Sequence, residues 1–254
     1  MEHQSRFERD GYALVKGVFG PDEIGAMERD FDRIVRQLLS RGEQVDATWN
    51  GAATEALARA GDQVLHTHNV QKYSHVWLTA LLAPRFLDAV EALIGPDIIL
   101  HHTKLFQKPA QHGAPFPMHQ DWPYFPTQKD TMIAGIIHVS EATDQMGCLR
   151  VWPGSHKEGR LAHAHGRDGG EAMRAYPIEK ATAIEAQAGD VVFFPYLTVH
   201  GSMPNRSEKT RKTVLCQLYA GHDQISPGNT HPDERMVLRG WNHCMGREAA
   251  GQAA

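Results

Sequence analysis

His119 and Asp121 stand two residues apart in Met118-His119-Gln120-Asp121-Trp122-Pro123; a further histidine, His200, lies in Thr198-Val199-His200-Gly201-Ser202, and Arg211 follows eleven residues later. A His-x-Asp pair with a distant histidine is the sequence form of a facial triad. Two imidazoles and one carboxylate of this kind hold non-heme Fe(II) on one face and leave the opposite positions open to a co-substrate and O₂. A planar guanidinium such as that of Arg211 stays charged at any working pH and can grip a carboxylate through two parallel hydrogen bonds.

The spacing has a physical reason. In an extended strand, residues i and i+2 face the same side. His119 and Asp121 are therefore expected to turn inward together, with Gln120 turned away, and the third ligand must come from another strand. Ligands on a helix would instead sit three or four residues apart. Pro115, Pro117, Pro123 and Pro126 also disfavour a helix here. A lone His-x-Asp is weak evidence in a chain with 16 histidines, so the elements around it must carry part of the argument.

Residues 5–19 combine a short polar helix with a strand beginning at Tyr12. Pro21-Asp22-Glu23 opens a helix whose apolar stripe is Ile24, Met27, Phe31, Ile34, Val35 and Leu38, closed by Gly42. Residues 43–63 lack periodicity and suggest a mobile loop or lid. A second helix runs from about Pro84 to Leu93, stopped by Gly95-Pro96. From residue 97 strand signals dominate: Ile98–Gln107, Met132–Ser140, Cys148–Trp152, Ala183–Ala186, Asp190–Pro195 and Lys212–Ala220. Turns rich in Gly, Pro, Asn and Asp separate them. Short strands at such intervals predict an all-β core with flanking helices, best fitted by a jelly roll.

The 254 residues, 41% hydrophobic and 22% charged, suit one domain with a sizeable core. We expect residues 1–254 to form a single domain: a helical segment over about 1–96 packs on a core over about 97–222, followed by a C-terminal extension, 223–254, whose end is frayed. A net charge of −4 without a basic tract gives no sign of nucleic-acid binding. No apolar stretch has the length of a membrane span, and the N-terminus lacks a secretory signal. Cys148, Cys216 and Cys244 form no CxxC motif, which points to a reduced, cytoplasmic protein. The expected partner is a small-molecule substrate, and the expected assembly a monomer or homodimer.

Several segments, in order, resemble the phytanoyl-CoA dioxygenase family of Fe(II)/2-oxoglutarate oxygenases. They are Phe7 to Tyr12, Lys108-Pro109, His119 to Pro126, Gly147 to His156, Ala188 to Phe194, His200-Gly201-Ser202 and Arg211-Lys212. The resemblance implies a double-stranded β-helix, the cupin-like jelly roll. It implies His119, Asp121 and His200 as iron ligands and Arg211 as the arginine for the distal carboxylate of 2-oxoglutarate. Ser202, two residues from His200, can join that carboxylate if the strand stays extended.

His101 and His102 are adjacent on a strand, so only one should face the barrel interior. His102 matches a histidine of the family's namesake enzyme and shares parity with Lys104; both are placed near the co-substrate pocket. His138, His156, His163 and His165 are read as solvated or hydrogen-bonded. Trp122, Tyr124 and Phe125 either wall the pocket or simply pack. The chain departs from the namesake at Asn69, Lys104 and Ile137, where that enzyme has lysine, methionine and tryptophan near its co-substrate.

The resemblance implies oxidation of an unactivated C–H bond with Fe(II), 2-oxoglutarate and O₂, releasing succinate and CO₂. The expected substrate is a small polar metabolite or natural-product intermediate, since an acyl-CoA would favour a basic entrance. The presence of Asp121 points to oxidation rather than halogenation. The alternatives are an acyl-CoA hydroxylase like the namesake, a cupin-like metalloenzyme that does not use 2-oxoglutarate, and a binding module without catalysis. Arg211 and Ser202 argue against the metalloenzyme, and the intact triad argues against the binding module.

Overall fold

The computed structural model describes residues 2–49, 52–162 and 174–247. His163 and His165, and most of the tail expected to fray, lie outside them. Five helices come early: α1 (Glu2–Asp10), α2 (Pro21–Ser40), α3 (Ala52–Glu55), α4 (His75–Leu81) and α5 (Pro84–Ile94). Strands β1 (Ala13–Val15) and β2 (Leu65–His68) are interleaved with them. The remaining strands are β3 (Ile98–Lys108), β4 (Phe116–His119), β5 (Ile133–His138), β6 (Leu149–Val151), β7 (Thr182–Ile184), β8 (Val191–Pro195), β9 (His200–Ser202), β10 (Arg211–Ala220) and β11 (Met236–Arg239).

They form a jelly roll of two antiparallel sheets. The larger runs β1-β8-β5-β10-β3-β11, with β2 also pairing β3; the smaller runs β4-β9-β6-β7. Period-2 alternation decides what each face of the larger sheet meets. On β5 and β10, Ile133, Ile137, Val214, Cys216 and Leu218 point outward into one core shared with the α2 stripe and with Trp77, Phe86 and Val90. The opposite faces present Ala134, Val192 and Phe194 to Leu149, Val151 and Ile184 of the smaller sheet. Burying both faces of β5, β8 and β10 explains their nearly continuous apolar runs.

One irregularity changes the expected parity. His102 pairs with Gln217 and Leu100 with Leu218, so His101 is an extra residue on β3. Such a β-bulge reverses the alternation beyond it. Ile98 and Leu100 face the helix core, yet His102, Lys104 and Phe106 line the inner cavity. Of the two adjacent histidines only His102 lines the cavity, as expected. Both are buried with their rings 4.9 Å apart, and His101 packs against Phe125 and Tyr219.

The segment expected to be a mobile loop or lid is anchored at Asp46, Asp62 and Gln63. Asp46 bridges to Leu65, Gln63 bridges to Gly113, and Arg206 donates to both carboxylate oxygens of Asp62. Each partner is distant in sequence and invisible to a periodicity argument. No helix among the described residues is long and apolar enough to cross a membrane.

Candidate metal centre and co-substrate pocket

His119 ends β4 and His200 begins β9, and the two are register partners. Asp121 lies just beyond β4, in the following turn. The pleat that was expected to orient it therefore does not; its backbone N–H donates to Tyr196 O, and this bond fixes the turn. Gln120 is turned away as expected, its amide donating to Gly159 O and Leu197 O.

The three donors converge. His119 Nε2 is 3.4 Å and His200 Nε2 3.6 Å from Asp121 Oδ1, and the two rings are 4.2 Å apart. Each outer nitrogen is engaged: His119 Nδ1 with Pro117 O at 2.8 Å, His200 Nδ1 with Thr198 O at 2.9 Å. Carbonyl partners require Nδ1–H and so turn the Nε2 lone pairs toward Asp121. Gln217 Nε2 donates to Asp121 Oδ2 at 2.9 Å, leaving Oδ1 toward the histidines.

Burial pushes the Asp121 carboxyl up, but the neighbouring His200 and His119 and the Gln217 hydrogen bond outweigh it and bring it to about 2. Burial, reinforced by His119, pushes His200 down to about 4. At neutral pH the site thus offers an ionised carboxylate and a neutral imidazole whose Nε2 carries no proton. Donor separations of 3.4–3.6 Å approach those of a common metal ion with bonds of about 2.1 Å. Two nitrogens, one oxygen and open space beyond are a fitting set for Fe(II).

A cavity of about 610 Å³ opens from this triad. At one end lie Arg211 and Ser202, both buried. Arg211 Nη1 donates to Gly147 O, whereas its buried Nε has no hydrogen-bond partner. Burial lowers its pKa to about 10, so it remains charged at neutral pH. Among the described residues no carboxylate forms an ion pair with it. A buried guanidinium in this condition needs an anion.

Lys108 lies opposite Arg211 in the β3–β10 register, fully buried, donating to Ser202 Oγ at 2.6 Å and Met203 O at 2.7 Å. Its donation leaves the Ser202 hydroxyl proton free for an acceptor in the cavity. The sequence reading used Lys108 only as part of a motif. It also missed His138 as a cavity residue; the ring lines the cavity, buried, with Nδ1 unpartnered. For Lys108 the available signal was its strand parity with Lys104; for His138 there was none, because Ile137 pointed to the opposite parity.

His102 and Lys104 line the cavity as expected; Tyr124 and Phe125 do too, while Trp122 packs outside it. Asn69 and Ile137 do not line it. Asn69 Nδ2 is tied to Glu234, and Ile137 points into the helix core while its neighbour Ile136 faces the cavity. Of the three departures from the namesake, only Lys104 borders the site. His156 bonds Glu8 O, away from the cavity. Two cavity residues came from segments without periodic signal: Trp49, its ring 4.7 Å from His119, and His231 from the C-terminal extension.

Residues 7–213 match the family described as Phytanoyl-CoA dioxygenase (PhyH). The peroxisomal phytanoyl-CoA dioxygenase of Rattus norvegicus is 27% identical over 85% of this chain and 67% of its own. A probable alpha-ketoglutarate-dependent hypophosphite dioxygenase of Stutzerimonas stutzeri is 24% identical over 94% of this chain and 86% of its own. Among solved structures, the epimerase SnoN, crystallised with Fe3+, alpha ketoglutarate and nogalamycin RO, superposes with a TM-score of 0.73 at 21% identity. The match covers 89% of this chain and 86% of that one, a likeness of fold.

Proposed function

The chain belongs to the phytanoyl-CoA dioxygenase family and is an Fe(II)/2-oxoglutarate-dependent oxygenase, and from this premise we propose that it hydroxylates a small polar metabolite carrying an anionic group. His119, Asp121 and His200 hold the iron. Arg211 and Ser202 receive the distal carboxylate of 2-oxoglutarate. Bound there, the iron and 2-oxoglutarate supply the oxidising power to place one atom of O₂ into a C–H bond, with succinate and CO₂ released.

The protein's part is positional. Gln217 fixes which oxygen of Asp121 meets the metal. Arg211 provides a charge already desolvated before the co-substrate arrives, so its hydrogen bonds form without further loss of water. Lys108 holds Ser202 in its rotamer. Trp49 covers the His119 side and keeps water from the reacting centre.

The substrate class rests on Lys104. It adds an ammonium to the cavity wall, and a positive charge there favours a substrate that carries a carboxylate or phosphate. A second reading, hydroxylation of an acyl-CoA, is favoured by the similarity to phytanoyl-CoA dioxygenases. The deciding measurement is substrate-stimulated succinate release across small carboxylates, phosphorylated metabolites and branched acyl-CoAs. Stimulation by the small anions, weakened in Lys104→Met, is expected. Efficient turnover of an acyl-CoA alone would replace this substrate class with the second.

A further inference from the structure

A second trio of histidines lies outside the triad: His68 on β2, His102 on β3 and His231 ahead of β11. Their rings form a nearly equilateral triangle, with centroids 5.6 Å apart for His68–His102, 5.3 Å for His68–His231 and 5.1 Å for His102–His231. One ring nitrogen from each lies within 4.8 Å of the other two. The outer nitrogens are engaged in two of the three. His102 Nδ1 meets His101 Nδ1 at 2.6 Å, and His231 Nδ1 meets Thr230 Oγ1 at 3.1 Å; with the proton on Nδ1, the Nε2 of each is left to serve as a ligand. His68 Nε2 is buried without a hydrogen-bond partner. Metal-bound imidazoles commonly show this pattern, one nitrogen inward and the other held from behind.

We propose that His68, His102 and His231 form a second metal site, selective for a divalent late transition ion such as zinc or copper. An all-imidazole set without a carboxylate suits these ions and not magnesium, calcium or manganese. The ammonium of Lys104 sharpens the choice. It sits over the Phe106 ring, 5.0 Å from its centroid, and its charge reaches all three histidines. That ammonium opposes any dication, so only an ion that imidazole binds strongly would be held there. Three protein ligands leave a fourth position, as in metal sites that accept an exogenous donor. His102 and His231 line the cavity, so that position is reachable by an oxygen of a molecule bound in it. The bulge at His101 is what makes the site possible, since it turns His102 inward and supplies the partner for its Nδ1.

The inference is independent of the iron assignment and is tested apart from it. Metal-free protein would be dialysed against zinc alone, with circular dichroism as the control for folding. The wild type should bind two equivalents, and His68→Ala, His231→Ala and Asp121→Ala one each. The double variant Asp121→Ala/His231→Ala should bind none. Copper(II) in Asp121→Ala should give an electron paramagnetic resonance signal split by three nitrogens. His68 and His231 are the positions of choice because the fully buried His102 is more needed for folding. One equivalent in the wild type that survives in both His68→Ala and His231→Ala, or two retained in both variants, would overturn the proposal. If the wild type binds one zinc and its binding of inorganic phosphate is lost in His231→Ala, the trio is an anion site and the metal assignment is wrong.

Discussion

The two oxygens of Asp121 have different tasks: one faces His119 and His200, and the other accepts a hydrogen bond from Gln217. Asp121→Ala and His200→Ala should each lose most bound iron while keeping the wild-type circular dichroism spectrum; full iron occupancy in both would remove these residues from the metal. Gln217→Leu leaves all three ligands in place but frees the carboxylate to rotate. Its iron affinity should fall by roughly 10- to 100-fold, as for outer partners of metal ligands elsewhere. At the other end of the cavity, Arg211→Leu should raise the apparent requirement for 2-oxoglutarate. A lost charge-assisted pair costs on the order of 2–3 kcal/mol, or about 30- to 150-fold. Arg211→Lys should recover only part, because an ammonium cannot reproduce the planar fork. An unchanged requirement in the leucine variant would move the carboxylate site elsewhere in the cavity.

Strands and turns, rather than single side chains, decide whether those residues meet. The turn before β6 is a case in point. Gly147 has φ +66°, and a Cβ there would collide with the Met203 carbonyl, the same oxygen that accepts from Lys108. Its own carbonyl accepts from Arg211. Gly147→Ala should therefore cost at least about 1–2 kcal/mol for the left-handed backbone alone and also weaken 2-oxoglutarate binding. Denaturant titration and co-substrate kinetics on the same preparation would check both, and an effect on neither would contradict this role.

Legibility followed element type. The stripe from Ile24 to Leu38 gave α2 because six buried positions repeat at helical steps, and the apolar runs gave β5, β8 and β10. The short strands β4 and β9, which carry two of the three proposed ligands, have too few residues to show a period; only their histidines revealed them. Parity with His200 and His102 put Ser202 and Lys104 on the cavity wall, whereas Arg211 and Ile137 were placed by the resemblance alone. Ile137 does not line the cavity and its neighbour Ile136 does. The bulge at His101 has no composition signature. Trp49 and His231 are held by long-range packing, which one sequence does not display.

Across the whole molecule, interior histidines couple the fold to pH. Burial pushes His101 down to about 4, and burial with the charge of Arg211 does the same to His138. In the unfolded chain each titrates near 6.5. Below that value the unfolded chain takes up protons that the folded one refuses. Stability present above pH 6.5 is thus lost as pH falls toward 4, at roughly 1.4 kcal/mol per pH unit for each such histidine. Denaturant midpoints of metal-free protein should fall between pH 7.5 and 5, with a shallower slope in His138→Gln. A flat profile would mean that these imidazoles accept protons without unfolding.

The pairing of His119 with His200 joins two points about 80 residues apart in the chain. Closing so large a loop is slow and entropically costly, and such contacts tend to form late. An ion shared by the two strands would be a removable staple across one of these distant contacts. Its effect falls on how long the native state survives rather than on how fast it is reached. With the metal held there, the lifetime of the fold would become a property of metal supply.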